Sequence, residues 1–292
     1  MDNELIADPA SELKNKVLLE GAGNVVPADA TKRSPSLNQG EETTHASAEL
    51  PDQSAFLART VVIIPARNEE DSIAQVLDDL PNVGLVIVVD NGSTDSTARI
   101  AEAHGATVVK ESTPGYGQAC WTGMQYLESQ APRLPFSPVY VAFLDADYSD
   151  HPNLLPMLVS PIHDGDCDFV LGSRLLGQRE AGAMPAQSVY GNKLAVFLIR
   201  LFWAHRFTDL GPFRVIHRDC LNELNMVDRN FGWTVEMQIK AVESRLRIRE
   251  IPVPYRKRIG TSKISGTVSG TIRAGYKILY TIAKYRWLAG RS

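Results

Sequence analysis

From Thr60 onward, short unbroken apolar runs alternate with segments whose apolar residues recur every three or four positions. The runs TVVIIPA (60–66), GLVIVVD (84–90), ATVVKES (106–112), PVYVAFLDAD (138–147) and DFVLGSR (168–174) are rich in β-branched residues and read as buried strands. Between them, NEEDSIAQVLDDLP (68–81) predicts an amphipathic helix with Asn68 as its cap and Ile73, Val76, Leu77 and Leu80 turned inward. STDSTARIAEAHG (93–105) and GQACWTGMQYLESQ (117–130) predict two more. Strands that alternate with helices and are apolar on both faces imply an α/β fold: a doubly wound, Rossmann-like, mostly parallel sheet with helices on both faces. Such sheets bind ligands beyond the carboxyl ends of their strands. Three polar loops fall there: Pro65–Glu69, Asp90–Asp95 and Asp145–Asp147.

Charge changes the picture at both ends. Residues 1–55 hold ten acids and four bases, are interrupted by proline and glycine, and offer little to bury, which predicts a disordered acidic tail with a short helix near Glu12–Glu20. From Arg245 to Ser292 there are twelve bases and one acid, Glu250. The expected organisation is therefore a tail (1–55), a folded α/β domain (56–266) and a basic amphipathic C-terminal helix (267–292). A net charge of −4 carries no global basic field, so no nucleic-acid partner is expected. Three scattered cysteines, Cys120, Cys167 and Cys220, suit a reducing cytoplasm and form no zinc spacing. The N-terminus has no signal-peptide pattern, and the longest apolar run, Leu194–Ala204, is too short to span a bilayer. The expectation is a cytoplasmic protein, with contact at the membrane surface left open.

The strongest chemical feature is Asp145-Ala146-Asp147. Residues i and i+2 of an extended strand end project to one side, so both carboxylates can face one ligand. Two hard oxygen donors there suit Mg²⁺ or Mn²⁺, which would hold a diphosphate. Asp90-Asn91-Gly92-Ser93 reads as a turn with caps, but Asp90 stands where a base or ribose could be recognised. Glu69 serves a helix dipole or a nucleoside. Pro114–Ala119 is neither a Walker A loop nor a dinucleotide fingerprint, which argues against nucleoside triphosphatases and nicotinamide enzymes. His151 and His217 receive no catalytic role.

IIPARNEE, VVDNGSTDST, FLDADYSDHP and VLGSRLL, in that order, resemble family-2 glycosyltransferases of the GT-A fold, in the dolichyl-phosphate mannose/glucose synthase-like branch. GNKLAVFLIRL, DLGPFRVIHRD, GWTVEMQIKA and VPYRKRIGTSKISG extend the similarity over residues 60–266. The resemblance implies inverting, metal-dependent transfer from a nucleotide-sugar of the UDP-glucose or GDP-mannose type. It implies that Pro65, Ala66, Glu69, Asp90 and Asn91 line the nucleoside pocket, and that Asp145 and Asp147 hold the metal. Arg174 and Ser188 would face donor or acceptor phosphates, and Arg258 and Lys263 would close over the diphosphate. The sequence departs from the family where an aspartate is usual and Asn91 stands, where a metal-binding glutamine is frequent and Ser149 stands, and where Met184 replaces a basic residue.

The acceptor decides whether a base is needed. A polyprenyl phosphate is already anionic and needs none, whereas a small hydroxyl acceptor, phosphoglycerate-like or a sugar, would call on Glu236. Non-catalytic nucleotide-sugar binding is the remaining alternative. Val268, Ile272, Tyr276, Leu279 and Ile282–Ala283, flanked by Arg273, Lys277, Lys284 and Arg286, predict a helical face that would lie on an anionic bilayer or pack on the domain.

Overall fold

The computed structural model describes residues 53–260 and 268–290, with side chains from Arg273 onward in the second stretch. Residues 1–52, and with them most of the expected acidic tail, lie outside the described residues. The seven strands are β1 (Thr60–Ala66), β2 (Leu85–Asp90), β3 (Thr107–Lys110), β4 (Tyr140–Phe143), β5 (Phe169–Ser173), β6 (Arg214–His217) and β7 (Ile248–Pro252). They form one sheet in the order β3-β2-β1-β4-β6-β5-β7. β1 pairs in parallel with β2 and β4, and β3 continues in parallel beyond β2. β6 runs antiparallel to both β4 and β5, and β7 pairs in parallel with β5. The sheet is mostly parallel, as the pattern predicts, with one reversed strand that the pattern leaves undetected.

The helices are α1 (Gln53–Leu57), α2 (Ile73–Asp78), α3 (Thr97–Ala103), α4 (Tyr116–Gln130), α5 (Leu155–His163), α6 (Ala186–Trp203), α7 (Arg218–Glu223), α8 (Trp233–Glu243) and α9 (Val268–Ala289). Alternate strand residues feed two cores. Val61, Ile63, Ile87, Val89 and Phe143 pack with α4, α6, α8 and α9, while Val62, Ile64, Val88, Ala142 and Leu144 pack with α1, α2, α3 and α5. Burial on both faces is why the runs are continuous rather than alternating. Helix α1 begins at Gln53, inside the stretch expected to be tail, and buries Phe56 and Leu57.

Helix α2 is shorter than predicted, because Asn68 is not its cap. Asn68 adopts a left-handed φ of 51°. Its Oδ1 accepts the Thr94 amide at 2.7 Å, and its own amide donates to Ser93 Oγ at 2.9 Å. Asn68 thus stitches together the loops that follow β1 and β2, and both loops are held at the same sheet edge. The register completes the alignment: Ala66 lies opposite Asp90, and Asp90 opposite Lys110.

Candidate functional site

Beyond that edge lies a cavity of about 630 Å³. Its floor is Pro65, Ala66 and Glu69 from the end of β1, Asn91 after β2, and Asp145–Asp147 after β4. β4 ends at Phe143, so the two aspartates sit in the turn beyond the strand rather than on the strand itself. Both line the cavity nonetheless. Ser72 Oγ donates to the Ala146 carbonyl at 2.8 Å and ties this turn to the loop after β1.

Asp145 Oδ1 is buried without a hydrogen-bond partner. Burial first, and the charge of Asp147 second, push the Asp145 carboxyl up to about 7. Asp147 is better supported: its Oδ1 accepts the Ser149 amide at 3.0 Å and the Ser149 hydroxyl at 2.5 Å. Ser149, standing where a glutamine is frequent in the family, therefore orients a carboxylate. A proton or a cation would relieve the repulsion between the pair, and hard oxygen donors favour Mg²⁺ or Mn²⁺. Among the described residues, no cluster of three His, Cys, Asp or Glu side chains is placed to hold a metal. Two carboxylates with further ligands from a diphosphate and water match the habit of Mg²⁺.

The segment after β7 lies along this turn. Arg256 donates from its amide to the Ser149 carbonyl, and its guanidinium donates to the carbonyls of Tyr148 and Asp150. The Ile259 amide donates to the Asp147 carbonyl at 3.0 Å. So anchored, Arg258 places Nη1 3.1 Å from Asp147 Oδ2 and Nη2 3.0 Å from Glu69 Oε1. Arg256 and Arg258 are thus both bound to the site. Lys263 lies outside the described residues.

The opposite wall comprises Tyr116, Asn230, Phe231, Arg273, Tyr276 and Lys277, the last three from α9. Sequence reading places none of these six in the site. Lys277 Nζ pairs with Asp228 at 2.8 Å, and Asp228 Oδ1 accepts the amides of Asn230 and Gly232. The start of α4 presses against this loop: the Gln118 amide donates to the Arg229 carbonyl at 2.8 Å, and a Cβ on Gly117 would stand 2.8 Å from the Arg229 carbonyl carbon. Gly117→Ala is expected to cost about 1–3 kcal/mol by overpacking and to displace Asn230 and Phe231. A lowered melting midpoint with weakened nucleotide binding checks this.

Other expected site residues are used differently. Asp90 does not line the cavity, and its Oδ1 accepts the Ser93 amide at 2.9 Å, closing the turn. Asn91 lines the cavity, but its side chain staples the next loop, donating to the Glu111 and Thr113 carbonyls and accepting the Gly115 amide. Arg174 makes a two-pronged pair with Asp209, Nε to Oδ2 and Nη2 to Oδ1, both at 2.8 Å, which removes its fork from phosphate duty. Ser188 sits in the first turn of α6 and is not on the cavity wall. Glu236 is wholly buried and away from the wall. Its oxygens accept the amides of Val227 and Asp228 and the Tyr285 hydroxyl, and pair with Lys240. Such an acid has no access to a substrate hydroxyl.

Paired carboxylates beside a basic strap, at the carboxyl edge of a sheet with one reversed strand, are the frame of a GT-A fold. Within that fold, the model of the family "Glycosyl transferase family 2" matches residues 61–224, and the chain belongs to this family. An uncharacterised glycosyltransferase of Mycobacterium tuberculosis is 38% identical over 73% of this chain and 93% of its own length. A dolichyl-phosphate hexose transferase of Haloferax volcanii is 31% identical over 72% of this chain and 88% of its own. In fold, the chain is similar to glucosyl-3-phosphoglycerate synthase from M. tuberculosis, solved with Mn²⁺, UDP and phosphoglyceric acid, at a TM-score of 0.62 and 21% identity. That match covers 90% of this chain and 87% of the other.

Proposed function

We propose that this glycosyltransferase moves a hexose from a nucleotide-sugar to a polyprenyl phosphate, with metal and with inversion. The observation that carries this reading is the layout of charge in the cavity. Its carboxylates, Glu69, Asp145 and Asp147, lie on the cation side, two of them against Arg258. With Glu236 withdrawn, no separate carboxylate among the described residues stands on the wall to deprotonate a hydroxyl, while α9 brings Arg273 to it. That combination suits an acceptor that arrives ionised. The similarity to a dolichyl-phosphate hexose transferase supports the lipid form.

Pro65, Ala66 and Glu69 hold the nucleoside side of the donor. Asp145 and Asp147 would hold a divalent cation, which would supply Lewis-acid charge to the diphosphate. Arg258 places positive charge where negative charge grows on the leaving oxygen, the duty that the family resemblance also gives to Lys263. An acceptor phosphate oxygen, steered by Arg273, attacks the anomeric carbon opposite the diphosphate. The bond to the diphosphate oxygen breaks, one inversion results, and no proton has to be removed.

The test is nucleoside diphosphate release from UDP-glucose and GDP-mannose with Mn²⁺ or Mg²⁺, with and without a short-chain polyprenyl phosphate or 3-phosphoglycerate. Release that requires the polyprenyl phosphate is expected. Arg273→Ala should raise the KM for that acceptor about tenfold, the size of one charged hydrogen bond, with little change in kcat. Release driven by 3-phosphoglycerate alone transfers the site to a hydroxyl acceptor, and none with any donor makes the chain a binder.

A further inference from the structure

Of the thirteen large hydrophobic side chains that stand exposed among the described residues, ten lie on α6 and α9. Their spacing is regular. On α6, Tyr190, Leu194, Phe197 and Leu201 fall at i, i+4, i+7 and i+11, a single stripe, while Asn192, Ala195 and Ile199 on the opposite side are buried. Helix α9 repeats the register with Tyr276, Tyr280, Ala283 and Trp287, and buries Thr281, Ile282 and Tyr285 behind them. Tyr190 and Tyr276 are 71% and 70% exposed, too open to belong to the core of this chain. The predicted C-terminal face is thus divided: Ile282 turns inward and Tyr276 outward.

The two helices pack against each other, and a groove of about 710 Å³ between them is lined by Leu198 and Phe202 of α6 and by Leu279, Ala283 and Trp287 of α9. Phe202, Leu279 and Trp287 are both groove walls and exposed side chains, so the two stripes are continuous. Neither helix contains an acidic residue. Exposed Lys193, Arg200, Arg273, Lys284 and Arg286 border the apolar side chains. No helix among the described residues is long and apolar enough to cross a membrane.

We infer that α6 and α9 together form a docking surface for the headgroup region of an anionic bilayer. Aromatic and aliphatic side chains bordered by cations, with no acid, complement anionic lipid in both polarity and charge. Helix α9 also supplies Arg273, Tyr276 and Lys277 to the catalytic cavity, so docking brings the cavity wall to the lipid surface. This purpose rests on the lipid-phosphate reading of the active site; the surface itself is measured without donor or acceptor.

The experiment is vesicle flotation of the full chain with phosphatidylcholine alone and with added phosphatidylglycerol, at low and high salt. Flotation with the anionic vesicles, weakened by salt, is expected. A Phe197→Glu, Leu201→Glu double variant, altered only at exposed positions, should reduce it at least tenfold while keeping its circular dichroism and its nucleotide binding. Absence of flotation with anionic vesicles, or flotation indifferent to the double substitution, overturns the inference. So does a stable dimer in sedimentation velocity that this variant dissociates, since it assigns the surface to a second copy. Lipid-dependent transfer in detergent without flotation would remove the docking surface and leave the proposed reaction standing.

Discussion

Asp147→Asn is expected to lower metal-dependent sugar transfer about 10²–10³-fold, a loss of roughly 3–4 kcal/mol of transition-state stabilisation. Asparagine keeps the shape of the side chain and an oxygen for the Ser149 amide and hydroxyl, so the turn after β4 survives. What it removes is the charge at Oδ2, which faces Arg258 at 3.1 Å and, with Asp145, would hold the cation. Arg258 retains Glu69 at 3.0 Å, so its position is only half released. The melting midpoint should therefore stay within a few degrees of the parent while turnover falls. Nucleoside diphosphate release, measured beside Mn²⁺ binding in the presence of the nucleoside diphosphate, checks both parts. A variant that keeps turnover within a factor of ten of the parent would exclude Asp147 as a principal ligand.

Strands β1, β2, β4 and β5 were legible because each is largely buried on both faces and so reads as an unbroken apolar run. β6 was not. It opens on Arg214, a residue that on local grounds belongs outside, yet is 1% exposed with its guanidinium on the carbonyls of Leu210, Gly211 and Thr234. Those acceptors come from the preceding turn and from the start of α8, so nothing in a short window of sequence announces them. β7 was hidden differently: Ile-Arg-Glu-Ile-Pro at the sheet edge mixes charge with apolar residues as edge strands commonly do. Asn68 has the residue type of a cap but serves as a cross-loop stitch, which shortened α2.

For the site, the convergence of three loops followed from sheet topology alone. Individual duties did not, because short polar residues near a ligand also hold the backbone in place. Asp90 closes its own turn, Asn91 staples a neighbouring loop, and Arg174 finds Asp209 thirty-five positions later. The cations of α9 were legible as charge but not as cavity lining, because only packing against α6 and α8 brings the helix there.

Glu236→Ala is expected to destabilise the protein by about 3–5 kcal/mol, the cost of removing one partner from a buried ion pair. The carboxylate lies wholly inside, 3.0 Å from Lys240 Nζ, and also receives the Val227 amide, the Asp228 amide and the Tyr285 hydroxyl. It therefore joins α8, α9 and the loop that carries Asn230 and Phe231 to the cavity. Burial and this carboxylate push the Tyr285 phenol well up, so it remains a donor at ordinary pH. With several donors left unsatisfied, the melting midpoint should fall by roughly 10 °C. Tyr285→Phe, which removes a single donor, should cost about 1 kcal/mol. Glu236→Gln separates a strut from a base: its amide must point an N–H at a donor, so the midpoint should drop while turnover per folded molecule changes little. A hundredfold fall in kcat with an unchanged midpoint would restore Glu236 as a base, and with it an acceptor that attacks through a hydroxyl.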